Sequence, residues 1–247
     1  MRKAVTSLLL ILVLASPALA APPIPGNINI NLDGSGGKQT YSIPVQILLF
    51  LTLLTFLPAI ILSITSFTRI AIVFHFLRQA MGTAETPSNQ IILGLTLFLT
   101  FFIMSPILEQ INDDSLQPMM SGALTQTQAL EAAAKPLRGF MMKYTREKDL
   151  ALFLNIAKKS RPRNADDIPT SVMIPAFMIS ELKTAFQIGF VLFLPFLVID
   201  MVVATVLLSM GMMQLPPVMV SMPFKILLFI MVDGWNLIVG SLVKSFY

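Results

Sequence analysis

The sequence predicts an all-α membrane protein: two long apolar helical hairpins joined through a small polar helical insert. Three observations predict it. Of the 247 residues, 55% are hydrophobic and only 12% are charged, against about 25% charged in an ordinary soluble domain. The mean hydropathy is +0.78. Four apolar stretches approach or exceed the roughly 20 helical residues needed to cross a hydrocarbon core, and most of the charge is gathered between the second and the third.

The chain begins with a targeting pattern. Met1-Arg2-Lys3 is basic, Leu8 to Leu14 is an unbroken apolar run, and Ala18-Leu19-Ala20 is a small-x-small cleavage site. Residues 1–20 therefore read as a cleaved signal peptide whose apolar core is too short to span; an uncleaved anchor is the alternative. Residues 21–44 are rich in Pro, Gly and Asn, bury too little apolar surface to fold alone, and read as a flexible lead-in.

Residues 45–108 form the first hairpin. Val45–Phe76 is longer than a span requires and contains Pro58; Ile91–Leu108 is the second segment. Residues 109–184 form the polar insert. Within it, Gln126–Ala134 is a good helix former, Phe140–Ala157 carries apolar residues at helical spacing, and Ser160–Pro169 reads as a loop. Residues 185–247 form the second hairpin, with Phe186–Leu208 and Pro223–Val243 as its arms. A signal peptide places the mature N-terminus outside. The turn within each hairpin is then cytoplasmic and the insert returns outside, weakly supported by Arg69, Arg78 and Lys225 near the inner turns.

Ionisable groups inside apolar helices are costly and therefore informative. Asp200 and Asp233 lie in apolar runs, and Lys225 opens the fourth segment. An aspartate paired with a basic group of a neighbouring helix or subunit is one reading. A proton relay is another. An intramembrane aspartyl protease dyad is a third, although the Gly-x-Gly-Asp context is absent. Side chains that hold subunits in register are a fourth. Arg69 and Arg78 either snorkel to a membrane surface or pair with Glu85. Glu181 either pairs with a base on an adjacent subunit or caps a solvated helix end. His75 reads as structural.

The residues Met210 to Met222 hold five of the sixteen methionines. Gly211 and the Pro216-Pro217 pair prevent a continuous helix, so the methionines are expected on a loop. Unbranched, polarizable Met side chains form adaptable apolar surfaces. A deformable seal and ordinary membrane-edge packing are the two readings.

The chain has no cysteine and one histidine, which excludes disulfides and thiolate chemistry and argues against a metal. There is no phosphate loop or Ser-His-Asp set. No enzyme and no cofactor are expected, and the net charge of +4 makes no case for nucleic acid. An ion or small-solute channel remains a rival reading.

Three groups of residues resemble one family. Ser66-Phe67-Thr68-Arg69-Ile70, with Arg78 to Thr83 and Pro87 to Gln90, resembles the first hairpin of the FliP family. Pro175 to Phe190 and Pro223 to Trp235 resemble its two signatures. The resemblance covers nearly all of the mature chain. It implies a core subunit of the flagellar type III protein export gate, the entry portal for rod, hook and filament proteins. It further implies a ring of five copies in a conical, raised assembly at the bacterial inner membrane, with a periplasmic portion. The implied partners are FliQ, FliR, FlhB, FlhA and the MS-ring protein FliF. A Met gasket maps onto Met210, Met212 and Met213. Arg69, Glu181, Asp200, Lys225 and Asp233 are the expected assembly charges. Gly82, Gly94, Ala176 and Gly189 are expected to allow close helix approach.

Overall fold

The computed structural model describes residues 43–83, 86–159, 164, 167–212 and 214–247. The expected signal peptide, nearly all of the lead-in, Glu85 and Met213 lie outside the described residues, as does much of the Ser160–Pro169 loop. The elements are α1 (Ile43–Ser63), α2 (Phe67–Met81), α3 (Asn89–Ile111), a π-helical turn (Asn112–Leu116), α4 (Gln117–Met120), α5 (Gln126–Tyr144), α6 (Glu147–Ile156), α7 (Thr170–Ser209), α8 (Pro217–Met231) and α9 (Gly234–Lys244). No strand occurs among the described residues.

The chain divides into two units, residues 1–55 and 56–247. In the first unit the described part is the opening of α1. Its Ile47, Leu48, Phe50, Leu51 and Leu54 are exposed. The Thr52 and Thr55 hydroxyls donate to the Leu48 and Leu51 carbonyls at 2.7 and 2.9 Å. A threonine that back-bonds in this way hides its polarity inside its own helix, which is how a polar residue sits in an apolar run.

The second unit is organised by α2 on α7. The buried residues of α2, Ile70, Val73, Phe74, Leu77 and Ala80, recur at three- and four-residue spacing and form one face. The facing stripe on α7 runs through Val172, Met173, Ala176, Phe177, Ser180, Glu181, Ala185 and Gly189. Small side chains recur along it and let the two backbones approach. At Gly189 an added Cβ would stand 2.5 Å from the Phe76 ring. Gly94, by contrast, has no atom within 4 Å of where its Cβ would be, so close packing within the chain does not explain it.

The insert is built by local signals. Thr125 and Gln128 form a reciprocal capping box that starts α5. The single amphipathic helix expected over Phe140–Ala157 is two helices, because Thr145 and Arg146 adopt extended backbone between α5 and α6. Ser115, in the π turn, donates to the Ala129 carbonyl at 2.6 Å and ties the turn to α5.

Among the described residues, two helical runs are long and apolar enough to cross a membrane: Asn89–Met120, of 32 residues, and Thr170–Ser209, of 40. The α8–α9 pair meets the same test as one span bent by 66°. The chain is an all-α membrane protein. At 1.5 Å per residue α7 is about 60 Å long, twice the roughly 30 Å of hydrocarbon. The sequence reading divided this helix at 184/185 on polarity; its backbone is continuous there. Burial divides it instead. The stripe just described runs to Gly189; beyond Ala185 exposed side chains predominate, with Phe186, Phe190, Val191, Leu197, Val198 and Val202 exposed and Phe196 and Leu207 buried.

Candidate functional site

The sequence-predicted charges meet in two pairs, both on α7. At its first half, Arg69 of α2 and Glu181 of α7 form a two-pronged contact. Arg69 Nε donates to Glu181 Oε2 at 2.8 Å and Nη2 to Oε1 at 2.5 Å. The side chains are 3% and 0% exposed. The remaining nitrogen, Nη1, donates to the carbonyl and the hydroxyl of Ser245 at 3.0 and 2.9 Å. The guanidinium also lies 3.8 Å from the Phe246 ring centre and 5.4 Å from that of Tyr144, within cation–π range. The base that answers Glu181 is therefore in the same chain, and Arg69 is buried rather than snorkelling to a surface.

Beside this pair a second polar knot joins α6 to α7. The Ser180 hydroxyl accepts from the Arg146 backbone N–H at 3.0 Å and donates to Asp149 at 2.6 Å. Arg146 Nε donates to the same carboxylate at 2.9 Å. Burial pushes the Asp149 carboxyl up, but the Ser180 and Arg146 hydrogen bonds and the nearby Arg146 and Lys183 charges outweigh it and hold the group below its ordinary range.

At the far half of α7, Lys225 of α8 donates to Asp200 at 2.6 Å and to the Ala80 carbonyl at 3.1 Å. Ala80 is in the last turn of α2, where carbonyls lack helical partners and the macrodipole favours a cation. Ser221, one turn before Lys225 on the same face, donates to the other oxygen of Asp200. Lys225 is 3% exposed but Asp200 is 26% exposed. One ammonium thus ties α2, α7 and α8 together.

Asp233 joins neither pair. It is exposed, in left-handed backbone (φ 51°) at the break between α8 and α9. Gly234 is required there, since a Cβ would fall 2.3 Å from the Phe229 ring. Trp235 then packs edge-on against Phe229, with ring centres 5.4 Å apart. The sequence reading placed Asp233 inside a helix; the Asp-Gly dipeptide was the turn signal it passed over. Asp200 and Asp233 sit in different environments, one paired and one on an open turn, which is no geometry for a shared-proton dyad. His75 is exposed, and no cluster that could hold a metal exists among the described residues.

The sequence profile described as the FliP family matches residues 42–242. The chain belongs to the FliP family. Relatives include the flagellar biosynthetic protein FliP of Bacillus subtilis (strain 168), 54% identical over 217 residues, 88% of this chain and 98% of that one. The protein of the same name from Pectobacterium carotovorum is 49% identical over 231 residues, covering 94% and 86%. That from Aquifex aeolicus (strain VF5) is 45% identical over 248 residues, covering all of both chains.

The FliP-family match takes in both ion pairs, the 233–235 break and the Met-rich turn. In that turn α7 stops at Ser209, Gly211 takes a left-handed φ of 72°, and α8 starts at Pro217. Met210 and Met212 are 67% and 41% exposed on it. Met219 and Met222, expected on the loop, are instead in α8, because Pro217 is well suited to the first turn of a helix. Sequence reasoning missed Ser245, Phe246, Tyr144 and Asp149. Only Ser221 had a legible signal, its four-residue spacing from Lys225.

Proposed function

We propose that this flagellar biosynthetic protein is a core subunit of the type III export gate and helps form the protein-conducting portal for rod, hook and filament proteins. The observation that carries the reading is the FliP-family match across nearly the whole chain, taken with an exposed Met turn at the tip of the α7–α8 hairpin. Five copies form a ring with FliQ and FliR, adjoined by FlhB, FlhA and the FliF ring, in the bacterial inner membrane. Residues 1–20 are the cleaved signal, 21–44 the lead-in, and 45–108 and 185–247 the hairpins; the insert 109–184 faces the periplasm. Met210, Met212 and Met213 close the axis as a deformable gasket. Arg69, Glu181, Asp200, Lys225 and Asp233 hold the subunits and helices in register. The chain does no bond-making chemistry, so the energy for transport comes from other subunits.

The test is complementation of a flagellated strain lacking its own FliP. The wild-type chain restores secretion of hook and filament proteins, and the triple change of Met210, Met212 and Met213 to Ala secretes but leaks small ions. Failure of the wild-type chain to restore secretion contradicts the export role, and a tight seal in the triple variant contradicts the gasket.

A further inference from the structure

The Arg69–Glu181 pair is made by α2 and α7, yet neither helix encloses it. Its fourth wall comes from the segment that follows α9. Ser245 is 176 positions from Arg69, and it supplies both acceptors for Nη1. Phe246 is 4% exposed. Its ring faces the guanidinium at 3.8 Å, lies nearly parallel to Phe140 with centres 6.2 Å apart, and meets Tyr144 edge-on at 5.3 Å. The Tyr144 hydroxyl donates to the Phe246 carbonyl. Leu242 and Ile238 of α9, which deliver this segment, are 1% and 6% exposed.

We propose that Ser245–Phe246 is a closing segment for the Arg69–Glu181 pair, so that α2, α5 and α7 lock together only when α9 has seated. Before α9 arrives, two N–H groups and the π face of Arg69 are left to water. The attraction between the two charges is then screened and contributes little. Seating Phe246 removes the water and completes the donor set in one step. The last helix of the fold thus licenses a contact between two earlier ones.

The experiment is a thermal-unfolding cycle on the full chain purified in detergent. It compares Phe246→Ala in the wild-type background and in Arg69→Met/Glu181→Leu, where an apolar pair needs no shield. The account expects Tm to fall by about 10 °C in the first, by scaling a buried Phe→Ala loss, and by at most half that in the second. Equal losses in the two backgrounds make Phe246 ordinary core packing and overturn the proposal. Should Phe246→Ala not yield folded protein, recovery of the same change in the apolar background supports the proposal. Should neither be recovered, Phe246→Leu, which keeps apolar bulk and loses the ring face, decides by the same comparison.

Discussion

Glu181 and Asp200 are two carboxylates on one helix, about 28 Å apart at 1.5 Å per residue, with bases that answer each at 2.5–2.6 Å. Glu181 is walled in by its own chain, with both partners nearly water-free, and its surroundings come from α2, α5, α6 and the segment after α9. Asp200 is paired equally closely, but it keeps a quarter of its surface open and sits among bare Leu197, Val198, Met201 and Val202. The difference teaches what hydropathy reports in this protein. An apolar run announces that a surface must be covered, and it does not say by what. In the first half of α7 the cover is intramolecular. In the second half the chain covers Phe196 and Leu207 but leaves Phe186, Phe190, Val191, Leu197, Val198 and Val202 exposed.

The largest expected effect is at the closed end. Glu181→Leu leaves Arg69 buried and unanswered, and the chain should lose about 3–5 kcal/mol of stability, measured by denaturant unfolding in detergent. The double change Arg69→Met/Glu181→Leu should recover most of it, because two well-packed apolar side chains replace a buried pair at little cost. At the open end, Lys225→Met should cost less, about 1–3 kcal/mol, since Asp200 reaches water when its partner leaves. A loss equal to that of Glu181→Leu would mean that the two ends are built alike and would break the comparison.

The smallest effect concerns pH. The Asp149 carboxyl is held below its ordinary range in the folded chain, so its contribution is fully present above the unfolded value of about 3.9. It is lost as pH falls through the lower folded value. Asp149→Asn should therefore flatten the acid limb of a stability–pH curve and leave its slope above pH 6 or so unchanged. An unchanged acid limb would show that the knot between α6 and α7 carries no charge.

The fold class was legible because it rests on composition and on long apolar runs, which need no partner to be recognised. The two aspartates and Lys225 were legible as unusual for the same reason. Which carboxylate meets which base was not legible. Arg69 and Glu181 are 112 positions apart, and their meeting depends on the register of α2 against α7. That register is set by Ala176, Ser180, Ala185 and Gly189, residues too small to stand out in a hydropathy profile. In the sequence the polar string Ser180-Glu181-Leu182-Lys183 stands where the insert meets the third apolar segment, and Glu181 there fits either a base on an adjacent subunit or a solvated helix end. In the structure Ser180 and Glu181 are partnered and buried, and α7 runs on through them. Phe246 was invisible for a related reason, since a lone aromatic after an apolar helix carries no pattern until its neighbours are known.

The central claim is that the open half of α7 is covered by other copies of the same chain. Native mass spectrometry of the detergent-purified complex tests it most directly. The account predicts a closed homo-oligomer, of five copies on the proposed stoichiometry, with the bare face of α7 inside the subunit contacts. A stable single copy that restores secretion when returned to cells would contradict it.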